Sequence, residues 1–120
     1  MHAVFRVDGG SDIGYGHLIR SNALGEELLS RNHRVTVATT SPQAVRSIFS
    51  TTVEVIELPS RDNPDPFVSW LTTNSPDTVF TDSYHIDTDY QRLIRNHCPL
   101  AVLQDDDRHA VFADLFINGN

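Results

Sequence analysis

The densest chemistry in the sequence is the run Asp8-Gly9-Gly10-Ser11-Asp12-Ile13-Gly14-Tyr15-Gly16-His17. Glycines let a backbone come close to a ligand. His17 adds a group that takes and gives protons near neutral pH. A second cluster, Asp82-Ser83-Tyr84-His85, carries groups that could orient a substrate hydroxyl or that histidine. A helix cap is the rival reading for Asp82. A third cluster, Asp105-Asp106-Asp107 with His109, has the residue types of a cation site. Adjacent aspartates on a strand or loop point different ways, so a solvated loop is the better reading and no metal is expected. His2, His33 and His97 read as surface positions, and His85 could serve either purpose.

The loop is not a dinucleotide fingerprint. After Gly14 and Gly16 a third glycine is needed at position 19, which is isoleucine. The second strand ends in threonines rather than in an acid that could hold a ribose. Gly14 and Gly16 still suit close approach by a sugar or a phosphate. All nine basic residues are arginine, so a Walker loop and a Schiff-base lysine are both excluded. The net charge of −7, without a basic face, argues against nucleic-acid binding. The lysine-free, aspartate-rich balance would also suit solubility at high salt, a halophilic trait. Cys98 stands alone and reads as a small core residue.

The elements that must position these residues alternate. Ala3 to Val7, Val35 to Thr39, Val53 to Leu58, Thr78 to Thr81, Leu100 to Leu103 and Leu115 to Ile117 read as strands, rich in β-branched and apolar residues. Between them lie helix patterns. The first runs from about His17 to Arg31, with His17, Leu18, Leu24, Gly25 and Leu28 toward the sheet. The second follows the start signal Ser41-Pro42, and the third follows Asp65-Pro66. The fourth, capped by Asp87 or Thr88, presents Ile86, Tyr90, Leu93 and Ile94 on one face. Repeated strand–helix–strand units predict an α/β, Rossmann-like, doubly wound and mostly parallel sheet in one domain over residues 1–120. The polar loop Pro59 to Asp65 is expected to be mobile. No apolar run approaches the roughly 18 residues of a membrane span. No secretion signal is legible, and a cytoplasmic location is expected. The sequence stops after a strand with no closing helix, which suggests a domain cut from a longer polypeptide or a half that expects a partner.

The blocks Phe5-Arg6-Val7-Asp8-Gly9-Gly10, Ile13-Gly14-Tyr15-Gly16-His17 and Arg20 resemble the N-terminal signature of the UDP-sugar hydrolases of pseudaminic acid biosynthesis. These enzymes are grouped with spore-coat polysaccharide biosynthesis proteins. The likeness continues at Asp82-Ser83-Tyr84, at Asp105-Asp106 and at Asp114 to Asn120. The resemblance implies the N-terminal half of a MurG-like GT-B fold. It implies hydrolysis of a UDP-linked deoxysugar with inversion, needing neither a metal nor a cofactor. His17 would be catalytic. Asp8, Gly9, Gly14, Tyr15, Gly16, Arg20, Asp82 and Tyr84 would bind substrate. In that fold most UDP contacts belong to a C-terminal domain that this sequence lacks, so the 120 residues alone are expected to be inactive. The alternatives are the acceptor domain of a GT-B glycosyltransferase, and a non-catalytic sugar- or nucleotide-binding half that pairs with a separate subunit.

Overall fold

A computed structural model describes residues 1–82, 85–104 and 115–118. Its strands are β1 (His2–Val7), β2 (Arg34–Thr39), β3 (Glu54–Glu57), β4 (Thr78–Asp82), β5 (Leu100–Gln104) and β6 (Leu115–Asn118). Its helices are α1 (Gly16–Ser30), α2 (Pro42–Ile48), α3 (Asp65–Asn74) and α4 (Thr88–Arg95). The strands form one sheet in the order β3-β2-β1-β4-β5-β6, and each of its pairings is parallel. The chain winds outward from β1 to β3, returns to the centre, and winds outward again from β4 to β6. Its reversal point is therefore the gap between β1 and β4, where Val7 is the register partner of Asp82. Open sheets of this kind bind ligands outside the carboxyl ends of their strands at such a point.

Strand alternation divides the core between two faces. Ala3, Phe5 and Val7 of β1 pack with Val35 and Val37, and with Leu18 and Leu28 of α1 and Val45 of α2. Phe5 also stacks on Phe80 of β4, with ring centroids 4.9 Å apart. On the opposite face Val4 joins Val79, Leu100 and Val102 beneath Phe67 and Leu71 of α3 and Tyr90 and Ile94 of α4. Helices thus cover both faces, as the doubly wound reading requires. Cys98 lies in this second core.

Some local expectations shift. Leu93 is exposed, and the buried stripe of α4 runs through Tyr90, Gln91 and Ile94 instead. Gln91 tolerates burial because its side-chain amide donates to the Ile86 carbonyl at 3.1 Å. Asp87 does cap α4, its carboxylate accepting from the Tyr90 amide at 2.9 Å. Ser41 precedes α2, but its hydroxyl makes no cap bond. That hydroxyl accepts from the Gly9 amide at 3.4 Å instead. The third helix starts one residue early, with Pro64 preceding Asp65. His2 and His33 are half-buried rather than surface residues, and the His2 ring pairs with the Thr36 hydroxyl at 2.7 Å.

The glycine loop joins β1 to α1 under a steric constraint. A Cβ on Gly9 would lie 2.5 Å from Leu18 Cδ1 and 2.6 Å from its Cγ. Leu18 is fully buried and has nowhere to retreat. Gly9→Ala should therefore cost about 1–3 kcal/mol through overpacking. Gly16 is exposed, and a methyl group there would meet nothing within 4 Å. Gly16→Ala should accordingly stay within about 0.5 kcal/mol of the parent. Urea denaturation midpoints of the two variants check the contrast, and equal midpoints would refute it.

Candidate active-site crevice at the β1–β4 switch point

The loop leaves β1 at Asp8 and closes on itself. The Gly10 amide donates to the Gly14 carbonyl at 3.0 Å, and the Gly14 amide returns a bond to the Gly10 carbonyl at 2.6 Å. Gly14 has φ +94°, in a region that disfavours a side chain. The loop then delivers Tyr15, which precedes α1, with Gly16 and His17 in the helix's first turn. Gly14, Tyr15 and Gly16 are exposed along this edge.

His17 faces inward, as its place on the helix stripe predicts. Its Nδ1 lies 2.6 Å from Oδ1 of Asp82 at the tip of β4. Arg20, one turn along α1, grips the same carboxylate. Its Nε donates to Oδ2 at 2.7 Å and its Nη2 to Oδ1 at 2.6 Å. The Asp82 side chain is only 2% exposed. An ionised carboxylate can only accept, so the proton between the two groups belongs to His17 Nδ1. In the neutral ring this makes Nε2 the basic nitrogen. Asp82 caps no helix: it ends β4, and α4 takes its cap from Asp87.

At the neighbouring tip of β1, on the other face of the sheet, lies a network that motif reading did not separate out. Arg6 is fully buried and Asp8 is 1% exposed. Arg6 Nη1 donates to Asp8 Oδ1 at 2.9 Å, Nε to the Tyr90 hydroxyl at 3.3 Å, and Nη2 to the Arg61 carbonyl at 3.3 Å. Asp8 Oδ1 also accepts from the Thr39 hydroxyl at 3.0 Å and the Thr40 amide at 2.7 Å. Asp8 Oδ2 is buried and has no hydrogen-bond partner among the described residues. Burial pushes the Asp8 carboxyl up, but the Arg6 charge and the bonds from Arg6 and Thr40 outweigh it and hold it below the usual range. Burial likewise raises the Tyr90 phenol, against the opposing pull of Arg6. The only legible hint was a basic residue inside an otherwise apolar strand.

The loop expected to be mobile is tied at several points. Besides the Arg6 bond to its carbonyl, Arg61 donates from Nη2 to Asp12 Oδ2 at 2.7 Å. Asp62 lies 3.5 Å from Nδ1 of His85. Beyond the glycine loop is an open cleft of about 670 Å³ above β1, β2 and β3. Tyr15, Ser41, Gln43, Arg46 and Glu57 are among its lining residues.

The structure therefore brings His17, Arg20 and Asp82 into one cluster. Asp8 and Gly9 lie at the neighbouring tip of β1, and Gly14, Tyr15 and Gly16 are exposed along the loop that follows. Tyr84, Asp105 to Asp107, His109 and Asp114 lie outside the described residues. Among the described residues, no group of three His, Cys, Asp or Glu side chains could hold a metal ion. No described helix is long and apolar enough to cross a membrane.

No family model matches the chain, and no curated protein matches it. Among solved structures it is similar to dTDP-glucose 4,6-dehydratase from Bacillus anthracis str. Ames, determined in complex with NAD. The TM-score is 0.52 at 11% sequence identity. The match covers 86% of this chain and 37% of that one, so the chain spans little more than a third of that enzyme's length. At this identity the likeness is one of fold, and it supports the Rossmann-like α/β architecture.

The Arg6–Asp8 pair generates a test. Arg6→Met leaves a buried carboxylate without its cation and should cost about 3–5 kcal/mol, read by urea denaturation. The pH dependence has a defined sign. Asp8 is depressed in the folded state, so its contribution is complete above its ordinary value of 3.8 and is lost as pH falls below that. Stability followed from pH 5 downward should fall less steeply in Asp8→Asn than in the parent.

Proposed function

We propose that this chain is the histidine-bearing N-terminal half of a nucleotide-sugar hydrolase with a GT-B arrangement. It would convert a UDP-linked deoxysugar and water to the free sugar and UDP, in the making of a surface polysaccharide or glycan. The observation that carries the reading is the His17–Asp82 contact at the switch-point crevice. The resemblance of the glycine loop to the pseudaminic acid pathway hydrolases supports the choice of substrate. A solved structure of similar fold is itself named for a dTDP-sugar enzyme, which accords with a nucleotide-linked sugar.

The proposed chemistry would use that contact. Asp82 holds the His17 proton on Nδ1, so Nε2 can take a proton from water. That water's oxygen bonds to the anomeric carbon while the bond from this carbon to the diphosphate oxygen breaks. The electron pair leaves with UDP, and attack from the opposite face inverts the centre. The open space over Gly14 and Gly16 leaves room for the sugar or its phosphate to approach the backbone. The tip of β2 carries Thr39 and Thr40 where a ribose-holding carboxylate would be needed, and the Thr39 hydroxyl is already spent on Asp8. No nicotinamide step therefore enters the proposal.

The polar cleft beside Tyr15 favours a second reading, the acceptor domain of a GT-B glycosyltransferase. Product analysis separates the two. With the complementary nucleotide-binding domain present, in the same chain or as a separate subunit, hydrolysis yields UDP and free sugar in equal amounts. Transfer yields UDP and a glycosylated acceptor. His17→Asn should lower the rate by about 10²–10⁴-fold, the usual contribution of a general base. The 120 residues alone should release no UDP. Full activity in His17→Asn would remove the hydrolase reading.

A further inference from the structure

We infer that Arg20 acts as a positioning residue for His17, through Asp82, rather than as a ligand for the substrate. The inference rests on the proposed role of His17 as a base. Three observations lead to it. Arg20 commits two donors to Asp82 in a fork, at 2.6 and 2.7 Å. Such bidentate pairing fixes the plane of a carboxylate as well as neutralising it. The Asp82 oxygen that accepts from Arg20 Nη2 is the one that faces His17 Nδ1. Finally, Asp82 is withdrawn from water almost entirely, so a cation must balance it.

Among the described residues, two groups reach Asp82 and could supply that balance. Arg20 carries its charge at all pH values of interest. His17 could supply it only by becoming an imidazolium, and an imidazolium cannot act as a base. Arg20 therefore carries the positive charge so that His17 can remain neutral while its Nδ1 proton stays fixed. The helix enforces the division of labour: residues three apart lie on one face of α1 and reach the same strand tip.

Among the described residues, other charged groups near the strand tips pair with one another. On β1, next to β4 in the sheet, Arg6 and Asp8 pair at 2.9 Å. In the segment before α4, His85 faces Asp62. On the glycine loop, Asp12 is bound by Arg61. Asp82 is thus the carboxylate that Arg20 and His17 share, at 2.6 Å from each.

The test reads the ring directly, by ¹⁵N NMR of the histidine side chains in the 120-residue chain and in the complete protein. In the parent, His17 should show its proton on Nδ1. A ring protonated on Nε2 alone would overturn the inference without any variant being made. In Arg20→Gln the carboxylate loses its cation and draws a second proton onto His17. The imidazolium share at pH 7 should then rise, the ratio of imidazolium to neutral ring increasing about ten-fold. Arg20→Lys restores the charge without the fork and should return most of that share. An unchanged His17 signal in a folded Arg20→Gln protein would overturn the inference. In an active complete protein, Arg20→Gln should lower kcat with KM little changed, whereas a substrate ligand would raise KM and leave the ring untouched. If the ring responds but no nucleotide sugar is hydrolysed, the positioning role stands and the hydrolase reading falls.

Discussion

At the tip of the central strand a guanidinium and a carboxylate have both been taken out of water, and each is supported only by the other and by a few fixed donors and acceptors. Burying such a pair is costly, and the cost is recovered only when geometry and additional hydrogen bonds are good. Arg6 meets this condition by reaching Asp8, the Tyr90 hydroxyl and the Arg61 carbonyl at once. Asp8 meets it by gathering Thr39 and Thr40 from the neighbouring strand end. One ion pair thereby ties β1, the end of β2, the crossing loop and α4 into a single unit. The crevice edge is cross-linked by these bonds.

The period of two along a strand then separates support from chemistry. Arg6 points to the face covered by α3 and α4, where it can hold structure. Asp82 shares its strand face with Phe80, which packs toward the α1 side, and so meets His17 and Arg20 on that helix. The two polar networks occupy neighbouring strand tips on opposite sides of one sheet and do not compete for partners.

The architecture was largely legible because its signals are local. β-branched runs bounded by turn formers marked the strands to within a residue or two, and the glycine loop announced the first strand–helix junction. Asp82 could be paired with His17 in advance only as one option beside a helix cap, since the choice depends on strand order. The role of Arg6 was less accessible still. A lone arginine in an apolar strand has no local signature that names Tyr90 or Arg61 as its partners, which lie 84 and 55 residues away. The loop after β3 looked mobile for the same reason: its polar composition says nothing about the guanidinium waiting beneath it. Leu93 and Gln91 exchanged places because a single amide-to-carbonyl bond makes a glutamine acceptable inside.

The mutual bonds between Gly10 and Gly14 seal the segment Ser11-Asp12-Ile13 into a small ring that begins and ends at nearly the same place. Apart from Asp12, which Arg61 holds at 2.7 Å, changes of sequence inside that ring need not be transmitted to the strand before it or to the helix after it. Ser11 and Asp12 also border the open cleft beside the crevice. The fold thus provides a replaceable cassette next to a fixed histidine, a place where selection could retune ligand preference without rebuilding the machinery behind it.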